Sequence, residues 1–182
     1  MRRGLDQDVS RCFVTVLDSL DHVAISAAAL ELEDQSIGAK GAPTLGQAYE
    51  LLRDQWRSGD RDRELGLHLM FLAWYLLFEP PLLPGLDATR VAEGELRAVF
   101  NEVHDVVMLT SATDAETLYV VGLMAHLTPW LLGPEDEWTS RSKSYRLRYR
   151  RLVPDGIEPK IFEGRGAYGR YFRHQAAVKH GY

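Results

Sequence analysis

The sequence predicts an all-α protein, and three observations carry that reading. Apolar residues recur at three- and four-residue steps through most of the chain. Two stretches, 65–78 and 115–132, are apolar nearly all round, as helices in the middle of a bundle are. Short runs containing Gly and Pro separate the periodic segments. Together they describe a single-domain bundle of five to six helices with two central apolar members and a basic, Gly/aromatic-rich C-terminal segment. On this reading residues 1–153 form the bundle and 154–182 pack on the same domain.

The elements follow in order. Residues 8–32 read as one helix, with Val9, Phe13, Val16, Leu17, Leu20, Val23, Ala24, Ala27 and Leu30 on its apolar side. Glu33 to Pro43 reads as a loop because it holds Gly38, Gly41 and Pro43. Thr44 with Gln47 has capping-box spacing and opens a helix to about Ser58. Asp60 caps the next, which runs from Arg61 to about Phe78 and stops before Pro80, Pro81 and Pro84. A fourth begins at Asp87 or Thr89 and extends to about Met108. Ser111/Asp114 and Thr113/Glu116 are overlapping capping boxes for a helix from Ala115 to Leu132, closed by Gly133 and Pro134.

Residues 134–153 admit two periods. Pro134 followed by Glu135, Asp136 and Glu137 suits a helix start, and arginines at the far end suit the helix dipole. Trp138, Tyr145, Tyr149 and Leu152 would then share a face. Tyr145, Leu147 and Tyr149 also alternate with Arg146, Arg148 and Arg150, which is a strand's period; helix is the favoured assignment. A short helix around Tyr168–Lys179 ends the chain's elements.

Charge is spent unevenly. Residues 1–138 hold 10 Lys and Arg against 23 Asp and Glu, and residues 139–182 hold 11 against 3, which together give the net −5. An acidic body followed by a cationic, aromatic segment marks either an anion-binding surface or a segment that docks on its own acidic partner. At 182 residues, 46% apolar and 26% charged, the chain has the make-up of one folded domain. The single cysteine, Cys12, excludes an internal disulfide framework and reads as a buried thiol. No apolar run reaches bilayer length and no signal-peptide core follows Met1-Arg2-Arg3, so a cytoplasmic location is expected. The 17 arginines against 4 lysines suggest a GC-rich bacterial source.

Few constellations suggest chemistry. There is no Gly-x-Ser-x-Gly and no P-loop. Gly164-x-Gly166-x-x-Gly169 has dinucleotide-fingerprint spacing but follows no strand of a βαβ unit. Glu64/His68 and Asp18/His22 are acid–His pairs at i,i+4, the spacing of ion pairing on one helical face. His126 reads as a core histidine. No catalytic residue and no cofactor is assigned.

His104-Asp105 is the sharpest local pair. It resembles the adjacent His-Asp of the HD superfamily of metal-dependent phosphohydrolases, which are all-helical. The resemblance implies a metal site in which His68 is the first ligand, His104 and Asp105 the central pair, and Asp136 or Asp155 the last, with metal-activated water attacking a phosphoester. Val106, Val107 and Met108 stand where that family often has a glycine.

The C-terminal segment is the favoured functional element. Arg165, Tyr168, Arg170, Tyr171, Arg173 and His174 combine guanidinium forks with aromatic anchors of the kind that dominate protein interfaces. The expected function is a non-catalytic protein-binding module of the toxin-neutralising (immunity- or antitoxin-like) or regulatory type, with another protein as partner. The HD-like phosphohydrolase is one alternative. A helical subunit contacting nucleic acid through residues 141–173 is another, against which the sequence pI near 5.7 argues.

Overall fold

The computed structural model describes residues 25–36, 44–78 and 91–178. Among them are eight α-helices, one 3-10 turn and no strand. The helices are α1 (Ala27–Gln35), α2 (Leu45–Arg57), α3 (Arg63–Phe78), α4 (Glu93–Thr110), α5 (Ala115–Leu127), α6 (Pro129–Leu132), α7 (Glu135–Leu152) and α8 (Gly166–Ala177); the 3-10 turn is Pro159–Phe162. Much of the helix expected over 8–32, with Cys12 and Asp18/His22, lies outside the described residues. So do the start expected at Asp87 or Thr89, the proline loop and Lys179.

The all-α architecture follows from α3. Its residues 65–74 and 76 are all buried, so no side of it is left for water. It packs on α2, α4, α5, α6 and α8. Helix α7 lies along α5, and α1 lies against α2 and α8. The core joins Tyr49, Leu52 and Trp56 of α2, Phe100 and Val103 of α4, and Leu118, Val121 and Met124 of α5 to Phe71 and Trp74 of α3.

The helix ends obey local chemistry, with shifts from the sequence expectation. Asp62, not Asp60, caps α3: its carboxylate accepts the Glu64 and Leu65 N–H groups at 2.8 and 3.2 Å. Asp60 instead accepts the Asp62 N–H at 3.0 Å. Thr44 precedes α2 without capping it; its hydroxyl donates to the Leu32 carbonyl at 2.6 Å and so ties α1 to α2. At α5 the cap is Asp114, not Ser111 or Thr113, the first members of the expected capping boxes: its carboxylate accepts from the Thr117 N–H at 2.7 Å.

The helix expected over 115–132 is two helices. Pro129 has no N–H to donate and disfavours helical backbone at Thr128, which sits at φ −145°, ψ 60°. The buried Thr128 hydroxyl accepts from Trp74 Nε1 at 2.7 Å, fixing the break against α3. This division, together with α8, takes the number of helices among the described residues to eight, past the five to six expected.

Residues 135–152 are helical. Trp138, Ser142, Tyr145 and Tyr149 are the buried positions, spaced by four, three and four residues. Leu147 and Leu152 are exposed, so Leu152 does not share the inner face with the aromatics.

Candidate functional site

The basic C-terminal segment folds back onto the acidic body through a chain of charged side chains that starts in the core. Glu33 of α1 and His68 of α3 are both wholly buried. His68 Nδ1 lies 2.7 Å from Glu33 Oε1, and Nε2 lies 3.2 Å from Glu64 Oε1, one turn back on α3. An ionised carboxylate can only accept hydrogen bonds, so a ring facing one from each nitrogen donates from both and is an imidazolium. Burial works against that charge, but Glu33 and Glu64 outweigh it and raise the His68 pKa. Burial likewise works against ionising Glu64, yet His68 and Arg165 pull its pKa down to about 2.

Arg165, just before α8, continues the chain. Its Nε donates to Glu64 Oε1 at 2.6 Å, a second nitrogen binds Glu64 Oε2, and the third lies 2.6 Å from Glu116 Oε1. This is a bidentate clasp with an added carboxylate, the strongest geometry a guanidinium offers. Tyr168, fully buried, stacks on His68 with centroids 4.5 Å apart and donates its hydroxyl to Glu116 at 2.5 Å. Burial, with Glu116 adding to it, pushes that phenol well above its ordinary pKa. Arg63 closes the network at the surface, donating to Asp114 at 2.5 Å and to Glu116 at 2.8 Å.

Glycine chemistry makes the clasp fit. Gly166 opens α8 with φ +58°, and a Cβ there would overlap the Glu33 carboxylate. Glu33 Oε2 accepts the Tyr168 N–H at 3.2 Å, so a carboxylate from α1 occupies the positive end of α8. A Cβ at Gly169 would overlap the Phe162 carbonyl of the 3-10 turn. The Gly164/Gly166/Gly169 spacing therefore serves a turn and a close helix contact.

The six expected partner-binding residues divide. Arg165 and Tyr168 face inward, as described. Tyr171 is half-buried among Phe71, Trp74, Tyr75 and Phe172. Arg170 pairs with Asp34 at 3.1 Å and Arg173 with Glu163 at 3.1 Å, both at the surface, and His174 is exposed.

The residues of the HD-like alternative carry separate partners. His104, nearly buried, bridges Asp105 at 2.9 Å and the Tyr145 hydroxyl at 2.9 Å, and packs edge-on against Trp138. Burial lowers its pKa, with Arg141 adding and Asp105 opposing. A neutral ring with Nδ1 at a carboxylate carries its proton there, so Nε2 accepts from Tyr145. His68 is engaged by Glu33 and Glu64 instead. Among the described residues no group of three or more His, Cys, Asp and Glu side chains could hold a metal ion.

Another surface remains outward. On α7, Lys143, Leu147, Arg150 and Arg151 are exposed, at the i, i+4, i+7 and i+8 positions of one helical face. Leu147 is 61% exposed at its centre and Leu152 50% exposed at its end. Arg148, beside this face, donates to the Ala112 carbonyl, and Arg141 pairs with Glu137 at 2.5 Å and lies over the Trp138 ring.

Sequence reasoning placed Glu33 in a loop and missed it, along with Glu116 as a network member. Only the Glu64/His68 spacing was a visible signal. Comparison with protein-family models, with curated proteins and with solved structures finds no match. Among the described residues no helix is long and apolar enough to cross a membrane.

Proposed function

We propose that the chain is a non-catalytic protein-binding module whose contact surface is the outer face of α7, and that its partner presents an acidic surface with an apolar centre. The observation that carries this reading is the row Lys143, Leu147, Arg150 and Arg151, cationic around an exposed leucine. Cations supply steering and register, and a central apolar side chain supplies the desolvated anchor. A phosphate backbone would gain from the cations but nothing from Leu147. The engagement of Arg165 and Tyr168 by the chain's own carboxylates favours this face over them as anchors. A regulatory or toxin-neutralising protein is the class that this reading fits.

The test is direct binding to two probes, an acidic amphipathic helical peptide of Glu and Leu and a duplex oligonucleotide, followed by fluorescence anisotropy. Peptide binding that weakens with salt, is lost in Lys143→Glu/Arg150→Glu/Arg151→Glu and drops in Leu147→Ala is the expected result. Tighter binding of the oligonucleotide, indifferent to Leu147→Ala, would overturn the reading in favour of nucleic acid.

A further inference from the structure

We propose that α1 is a strap held over α2, α3 and α8 by charge and released as pH rises, a regulatory device separate from the α7 surface. Its basis is an imbalance in how α1 is docked. A surface helix ordinarily buries an apolar stripe. The fully buried residues of α1 are Ala29 and Glu33, while Leu30 and Leu32 are only half-buried, so the part of its inner face closed to water is one methyl group and one carboxylate. Ile25 is likewise only partly buried. Beyond that partial apolar contact, the attachments among the described residues are polar: Glu33 to His68 at 2.7 Å and to the Tyr168 N–H at 3.2 Å, the Thr44 hydroxyl to the Leu32 carbonyl, the Ser26 N–H to Gln55 at 3.2 Å, and Arg170 to Asp34.

Of these attachments, the one whose charge changes near neutral pH is the Glu33–His68 pair. The groups facing His68 come from each element around it. Glu33 approaches from α1, Glu64 from α3 and the Tyr168 ring from α8. Arg165 acts through Glu64, and Glu116 of α5 acts through Tyr168 and Arg165, with Arg63 and Asp114 beyond it. When the imidazolium loses a proton, one nitrogen presents a lone pair to a carboxylate. Glu64 keeps Arg165 as a counterion. Glu33, with no exposure to water, keeps among the described residues only the Tyr168 N–H at the start of α8. An ionised carboxylate left buried without its cation is strongly destabilised, and among the described residues of α1 no apolar side chain larger than Ala29 is fully buried to hold it down.

The sign follows from proton linkage. The docked state raises the His68 pKa above 6.5. The docking energy is therefore complete below pH 6.5 and is lost as pH rises through the docked value. Between the two, the opening constant of α1 grows about tenfold per pH unit.

Hydrogen exchange read by mass spectrometry tests this on the intact chain, from about pH 6 to about pH 9, with rates converted to protection factors. The peptide spanning 27–35 is expected to lose protection with rising pH while peptides from α5 keep theirs. In His68→Gln, which cannot carry the charge, the ratio of α1 to α5 protection is expected to be flat with pH. An α1 that tracks α5 across the range in the native protein would overturn the proposal, and needs no variant. A pH dependence that survives in His68→Gln would do so equally.

Discussion

Glu33 does two jobs with one carboxylate. One oxygen faces the His68 imidazolium and the other receives the backbone N–H of Tyr168 at the start of α8. Helix N-termini attract anions because their first N–H groups are unpaired and the dipole is positive there. Here Arg165 at the N-cap position offers no side-chain cap, so the anion comes from α1. That arrangement sets a steric condition at Gly166, which is left-handed and in line with the carboxylate. Gly166→Ala is expected to cost about 1–3 kcal/mol, from backbone strain and displacement of Glu33. Gly94→Ala, at a helical site with nothing within 4 Å of the new carbon, is expected to be neutral or to stabilise by about 0.4–1 kcal/mol. Urea denaturation of both variants checks the contrast; equal midpoints would show that the close approach at Gly166 carries no energy.

At the level of elements, α5 and α7 approach closely because small residues meet. The buried Ser142 hydroxyl donates to the Gly122 carbonyl at 3.0 Å. Ser142→Leu puts a large side chain into that seam and is expected to destabilise by about 1–3 kcal/mol, read as a lower thermal midpoint. Leu147→Ser on the opposite, exposed face is the control and should leave the midpoint unchanged. How much of this was legible beforehand depended on where each helix's energy lies. Helix α3 announced itself because its apolar run has no other home than a core. Helix α7 was ambiguous because Tyr145, Leu147 and Tyr149 alternate with arginines as a strand would; only tertiary packing shows that Leu147 is outside and Ser142 inside. The split at Thr128 was written in Pro129, which the helix expected over 115–132 ran through; the hydrogen bond to Trp74 that anchors it, 54 residues away, was not. For the charged network the barrier was greater. The reversal of charge along the chain and the Arg/aromatic segment were plain. Their inward destination was not, because Glu33 is a glutamate in a polar stretch and its burial arises from partners 35 and 135 residues distant.

For the molecule as a whole, the titrating groups pull stability in opposite directions about one pH. His68 has a raised pKa, so its contribution declines as pH climbs above 6.5. His104 is held neutral by burial, so its contribution declines as pH drops below 6.5. Glu64, at about 2 against an ordinary 4.5, adds a further loss as pH falls below 4.5. The thermal midpoint is therefore expected to peak near pH 6.5 in calorimetric scans. His68→Gln should flatten the alkaline side, and Glu64→Gln should remove the further loss below pH 4.5 while leaving the decline due to His104. A midpoint still climbing above pH 8 would contradict the assignment of an imidazolium to His68. The reach of Glu33 across the sequence also bears on how the chain is born. A ribosome makes α1 long before α8, so the nascent body must wait, with a carboxylate and an imidazole already gathered, for the backbone that shares them. The docking of α1 is then complete only once a backbone made 135 residues later has arrived.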